Sequence, residues 1–150
     1  MRPTTLTVPL VTYCSRLPAE VGKSCFEFAG FMTYSYTKDP QGAMNVCDEV
    51  SDLDLSVACR TRVGESLYRA RLTPQDIAQC VSKNDIQSTD CVNGFVRSMI
   101  DHVNDLYGQR ALQACTILSD TVRHECLRGA GSAIVTRFGE QIRTRLCGEL

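Results

Sequence analysis

The sequence predicts an all-α chain: a right-handed superhelix of four disulfide-stapled αα-hairpins, closed by a C-terminal helix. Three observations carry this expectation. The first is a double series of cysteines in phase. The leading ones, Cys14, Cys47, Cys80, Cys115 and Cys147, stand 33, 33, 35 and 32 residues apart, and the trailing ones, Cys25, Cys59, Cys91 and Cys126, stand 34, 32 and 35 apart. A fixed period of this length marks a repeat array built from one supersecondary unit. The second is an apolar stripe at helical spacing around the leading cysteines. The third is a polar, turn-forming stretch inside each cysteine pair. One repeat domain follows, with units at about 6–38, 39–72, 73–106 and 107–138 and a half repeat at 139–150.

Each unit reads as a shorter helix A, a tight turn and a longer helix B. Helix A opens at Asp39-Pro40-Gln41-Gly42 in the second unit and at Thr73-Pro74-Gln75-Asp76 in the third. Proline is tolerated in a first helical turn, and Thr73 with Asp76 three residues on has the form of an N-cap box. Tyr107-Gly108-Gln109 and Phe138-Gly139-Glu140-Gln141 take this place in the fourth and fifth units. A glutamine recurs six residues before the cysteine at 41, 109 and 141, and slips by one at 75. Three residues before the leading cysteines stand Val11, Met44, Ile77, Leu112 and Thr144; three after stand Leu17, Val50, Lys83, Leu118 and Leu150. Apolar positions at this spacing form one buried helical face with the cysteine at its centre.

Between the paired cysteines come Arg16-Leu17-Pro18, Ser51-Asp52, Lys83-Asn84-Asp85 and Ser119-Asp120. Such residues cap helices and make turns, so each pair spans a hairpin and not a continuous helix. Facing helices bring the cysteines within reach of a disulfide, giving the expected pairs Cys14–Cys25, Cys47–Cys59, Cys80–Cys91 and Cys115–Cys126. Helix B carries glycine three or five residues past its cysteine, at Gly30, Gly64, Gly94, Gly129 and Gly131. Glycine costs about 1 kcal/mol inside a helix relative to alanine, so its recurrence points to close approach of two helix backbones. The B helices are expected to end near Thr37, Arg71, Asn104 and Phe138. Cys147 has no partner in the pattern and reads as a free thiol, buried or available for an intermolecular link.

Composition bounds the function. A net charge of −1 supplies no field for nucleic acid or an anionic membrane, and no run approaches the length of a membrane span. Nine cysteines at regular spacing suggest an oxidising, extracytoplasmic compartment, periplasmic or secreted, with the leader absent from this sequence. A cytosolic protein with reduced thiols is the alternative. Structural zinc favours close Cys-x2-4-Cys pairs and thiol–disulfide catalysis favours Cys-x-x-Cys; neither spacing occurs. His102 and His124 read as surface residues. The acidic tip Asp48, Glu49, Asp52 and Asp54, with the following Arg60, Arg62, Arg69 and Arg71, reads as a solvated, salt-bridged surface. No catalytic, cofactor or metal site is expected.

The period and helix order resemble tetratricopeptide-type repeats, and a disulfide in each hairpin is similar to the Sel1-like cysteine-rich repeats of bacteria. The Sel1-like interval between paired cysteines is shorter, and their Ala/Leu-Gly-Tyr pattern is not present here. Cys14-Ser15-Arg16-Leu17-Pro18 and Cys126-Leu127-Arg128-Gly129-Ala130-Gly131 look more like uncharacterised bacterial repeats of the form Cys…Leu-Pro…Cys-x-x-Gly-x-Gly. Those carry a histidine beside the glycines, where this chain has Phe28-Ala29-Gly30-Phe31. Twin-cysteine hairpins of mitochondrial intermembrane-space proteins are another likeness, but they place each cysteine pair on one helix, against which Pro18 argues. The stacked hairpins imply a concave surface lined mainly by A helices, of a kind that binds peptides or proteins. The expected function is therefore a non-catalytic protein- or peptide-binding scaffold, with a metal-binding or redox-active thiol protein as the alternative.

Overall fold

The computed structural model describes residues 10–71, 73–102 and 108–147, with side chains through residue 139. Every regular element among them is helical. In chain order these are α1 (Leu10–Cys14), α2 (Ala19–Thr37), α3 (Pro40–Asp48), α4 (Leu53–Arg71), a 3-10 helix (Pro74–Cys80), α5 (Asp85–His102), α6 (Gln109–Cys115) and α7 (Asp120–Cys147). Short and long helices alternate, and each short one packs against the long one that follows it. The long helices α2, α4, α5 and α7 lie side by side in sequence order, so each hairpin rests on its predecessor.

Local chemistry sets the boundaries. Lys38 closes α2 in a left-handed conformation, φ 57°, and its N–H donates to the Tyr34 carbonyl. Asp39 then caps α3 by accepting from the Gln41 N–H, with Pro40 in the first turn. Asp52 Oδ1 accepts from the Leu55 N–H, and Asn84 Oδ1 from the Ile86 N–H, at the starts of α4 and α5. Helix α7 is broken at Gly139, φ 47° and ψ −131°, at the expected start of the half repeat.

The third hairpin departs from the expected pattern. Its first element is a 3-10 helix, and the Thr73 hydroxyl donates to the Arg71 carbonyl and caps nothing. One residue fewer separates proline from cysteine here than in α3. A 3-10 helix rises roughly 2.0 Å per residue against roughly 1.5 Å for an α-helix, so the tighter winding covers the same length with the shorter segment. The slip of Gln75 by one position is the trace of this in the sequence.

The core runs through the hairpins and takes in nearly every paired cysteine. Cys47, Cys59, Cys80, Cys91, Cys115 and Cys126 are fully buried, beside Met44, Ile77, Val63 and Leu67. Val50 and Leu118 complete the stripe as expected, whereas Leu112 is 37% exposed. In α6 Ala111 and Ala114 are buried beside Cys115, so Ala111 takes the core place expected for Leu112. Thr144, Leu150, Asn104 and Tyr107, and the thiol of Cys147, lie outside the described residues or side chains; the backbone of α7 ends at Cys147.

Candidate functional site

The cysteines face one another across the hairpin turns. Cys14–Cys25, Cys47–Cys59, Cys80–Cys91 and Cys115–Cys126 are disulfide-bonded, with Cα–Cα separations of 5.4, 5.5, 5.4 and 5.6 Å. Each closes a short helix onto a long one. The bonded sulfurs offer no thiolate for metal binding or exchange chemistry. Among the described residues, no three histidine, cysteine, aspartate or glutamate side chains come together as metal ligands.

Four of the five glycines lie where long helices meet. A Cβ on Gly64 would overlap the Cys91 carbonyl oxygen of α5, and one on Gly94 would overlap the Thr61 carbonyl oxygen of α4. The two therefore face each other reciprocally across the α4–α5 crossing. Gly30 faces α4, where an added Cβ would come 2.6 Å from Val63 Cγ2 and 2.7 Å from Cys47 Sγ. Its N–H also donates to Cys59 Sγ at 3.2 Å. Gly129 meets the side chain of Asn93 on α5. Gly131 differs from these: nothing lies within 4 Å of its would-be Cβ, so it is not a packing glycine. Its side of α7 is open, while Ala130 and Ile134 beside it are buried.

A charge cluster centred on the buried Arg60 joins the second hairpin to the third. Arg60, expected on the surface, is 4% exposed. Its Nε donates to Asp90 Oδ2 at 2.8 Å, and its Nη1 donates to Asp48 Oδ1 and to the Ser56 hydroxyl at 2.7 Å each. Gln87 of α5 donates to the other oxygen of Asp48, and Ser56 donates to the Cys47 carbonyl at 2.8 Å. Burial outweighs the neighbouring guanidinium and pushes the Asp90 carboxyl above its usual value. Arg60 directly follows Cys59, on the face of helix B that turns inward, and only that register marked it as buried. Gln41 makes a second link of this kind: its Nε2 donates to the carbonyls of Gln79 and Val81 at 3.2 and 3.1 Å. The recurrent glutamine of helix A thus reaches the next hairpin at this position.

The outward faces of the long helices leave two grooves. One, of about 330 Å³, lies between α2 and α4 and is lined by Phe28, Phe31, Tyr34, Lys38, Arg62 and Arg69, among others. The Phe28 and Phe31 rings meet edge to face at 6.2 Å, and the Arg62 guanidinium lies 5.1 Å from the Phe28 centroid. The other, of about 610 Å³, lies mainly between α5 and α7 and reaches Thr61 of α4. Asn93, Arg97, Asp101, Arg128 and Arg137 stand on it. Arg137 donates to Asp101 at 2.9 Å, joining α7 to α5. The bond from Arg128 holds the carboxyl of Glu125 below its usual value. A third concavity, of about 420 Å³, lies on the short-helix side, where Pro74 and Gln75 face Arg110, Gln113 and Ile117. His124 is exposed beside Glu125, and the Nδ1 of exposed His102 lies 3.1 Å from the Ser98 carbonyl oxygen. Neither histidine stands in a groove.

Comparison of the chain with protein-family models, characterised proteins and solved structures finds no match in any of the three. The functional reading therefore rests on the grooves, the disulfides and the charge pattern. No helix among the described residues is long and apolar enough to cross a membrane.

Proposed function

We propose that this chain is a non-catalytic scaffold for a protein or peptide ligand, a right-handed αα-repeat of the tetratricopeptide or Sel1-like type that works in an oxidising, extracytoplasmic compartment. The observation that carries the reading is the serial packing of four disulfide-closed hairpins, each on its predecessor. Such arrays present one long grooved surface, and grooves between parallel elements suit an elongated polypeptide better than a compact small molecule. Four disulfides accord with an oxidising compartment, where they form and persist. They also supply rigidity, which lowers the entropy lost when a ligand is held.

Two measurements test this. Thiol counting on the denatured, non-reduced protein is expected to find one free thiol, that of Cys147. Nine free thiols would overturn the disulfide-stapled scaffold. Selection from an unbiased displayed-peptide library against the folded protein is expected to recover sequence-related binders that compete for one surface. Failure to recover any such set counts against the binding role.

A further inference from the structure

Charge on this molecule is unevenly placed. Among the residues lining the two long-helix grooves, Lys38, Arg62, Arg69, Arg97, Arg128 and Arg137 stand against two acids, Glu65 and Asp101. The grooves thus carry a surplus of four positive charges in a chain whose net charge is −1, which leaves the remainder five negative. Part of the negative charge collects at the turn of the second hairpin, in Asp48, Glu49, Asp52 and Asp54.

Several of the groove cations are already engaged. Arg62 pairs with Glu65 at 2.7 Å, Arg137 with Asp101 at 2.9 Å and Arg128 with Glu125 at 2.6 Å. Arg69 and Arg97 are exposed and have no carboxylate partner among the described residues. They stand on adjacent helices, α4 and α5. At the α2 end of the same face, Phe28 and Phe31 are 40% and 41% exposed. Both grooves take part of their lining from α4, Arg62 in one and Thr61 in the other. The long-helix side thus carries an aromatic pair on α2 and, on α4 and α5, two arginines with no carboxylate partner among the described residues.

We infer that this long-helix face binds an acidic polypeptide segment, with an apolar side chain on Phe28 and Phe31 and carboxylates on Arg69 and Arg97. The assignment rests on the scaffold reading, places the ligand on the long-helix side and not on the surface of A helices that the sequence suggested, and names one ligand chemistry. Helices pack about 8–10 Å apart, so four side by side span about 30 Å. An extended peptide rises about 3.3 Å per residue, and roughly nine residues cover that distance. Arginine suits carboxylates because its planar fork donates two parallel bonds. A polynucleotide fits less well. Its phosphates carry one charge per nucleotide without interruption, whereas Glu65 and Asp101 interrupt this face with negative charge. A peptide can place uncharged residues opposite those acids, and its backbone can bond to the hydroxyls of Thr61, Ser132 and Thr136.

The test is fluorescence anisotropy with a labelled twelve-residue peptide alternating glutamate with phenylalanine and glycine, beside a counterpart with lysine for glutamate. The charge-reversed variant R69E/R97E is compared with the wild type. Both residues are exposed and have no carboxylate partner among the described residues, so circular dichroism should show an unchanged fold. The expected result is binding of the acidic peptide that weakens as salt rises, no binding of the basic one, and a loss of roughly tenfold or more in R69E/R97E. Acidic peptide that fails to bind, or that binds the variant equally well, overturns the inference. Library selection separates the two levels of the argument. Binders with no acidic bias sink this inference and leave the scaffold standing, whereas no binders at all sink both. A single-stranded oligonucleotide that binds more tightly than the acidic peptide, and is lost in R69E/R97E, also overturns the assignment to a polypeptide.

Discussion

The reciprocal glycines at the α4–α5 crossing allow a prediction in which one substitution type has opposite signs at two sites. In Gly64→Ala, the new methyl group falls within the van der Waals envelope of the Cys91 carbonyl oxygen. That obstacle is backbone, so no rotamer change relieves it, and α4 and α5 must move apart. The crossing is flanked by well-packed side chains, including Tyr68 and Phe95, whose rings meet edge to face at 5.2 Å. A gap of only 0.5–1 Å forfeits roughly a quarter to a half of each dispersion contact it opens. Overpacking costs about 1–3 kcal/mol and occasionally more, and a backbone obstacle belongs at the upper end of that range. Alanine returns about 0.5–1 kcal/mol through helix propensity. The net expected loss is about 2 kcal/mol, or a fall in Tm of about 4–8 °C for a chain of this length. In Gly131→Ala the propensity gain stands alone, because nothing lies within 4 Å of the new Cβ, and a gain of about 0.5–1 kcal/mol is expected. Urea denaturation followed at 222 nm, with disulfides intact, measures both. Gly64→Ala as stable as the wild type, or Gly131→Ala as damaging as Gly64→Ala, would refute the close-approach argument.

Further predictions concern the charge cluster and the disulfides. Arg60→Met removes the cation shared by Asp48 and Asp90 and is expected to cost about 2–3 kcal/mol, less than for a fully buried pair because Asp48 is 38% exposed, read from the urea midpoint; a loss under about 1 kcal/mol would show that this pairing carries little of the stability. The raised carboxyl of Asp90 has a definite sign in pH dependence: the native state holds this proton more tightly than the unfolded chain, whose value is near 3.8. Its contribution to stability is fully present below that value and is lost as pH rises through the folded-state value. The stability of Asp90→Asn relative to wild type should therefore improve as pH rises over that window, and a trend in the opposite direction would show that the Arg60 pair outweighs burial. Cys80→Ser leaves Cys91 unpaired and is expected to lower stability by about 2–3 kcal/mol, with ligand binding by the folded fraction retained. A chemical turnover present in the intact protein and absent from Cys80→Ser would argue against a purely binding role.

The polar cluster carries a consequence for the architecture as well. The disulfides close hairpins but do not join them. Neighbouring hairpins are joined by Arg60 with Asp90, Gln87 with Asp48, Gln41 with the Gln79 and Val81 carbonyls, and Arg137 with Asp101. Each disulfide acts within one hairpin, whereas Arg60 acts in both ways, pairing with Asp48 inside the second hairpin and with Asp90 in the third. In an array with nearest-neighbour coupling, loss of Arg60 should separate the unfolding of the second and third hairpins before it affects the first.

The cysteine period by itself determined the order of helices, the positions of the turns and the pairs that each hairpin brings together. These are local consequences: ten or eleven residues of turn-forming chain between two cysteines can do little except fold back. The glycine series also announced that long helices meet closely, and four of its five members do so. What the sequence could not show is which side of each helix faces a neighbour, because that depends on crossing angles set jointly by residues from different hairpins. Gly131 has the same spacing as Gly30 and Gly64 yet faces no neighbour. Leu112 stands at an expected core position, but Ala111, beside Ala114 and Cys115, is buried there instead. Arg60 reads as one more surface arginine until α3 and α5 place Asp48 and Asp90 on either side of it. The 3-10 helix at Pro74–Cys80 lies between these cases: its one-residue deficit is visible in the spacing, but only the fixed height of the neighbouring hairpins makes tighter winding the solution. The repeat length was written along the chain, whereas the grooved side, with the Phe28–Phe31 pair at α2 and exposed Arg69 and Arg97 beyond it, exists only once four long helices lie side by side.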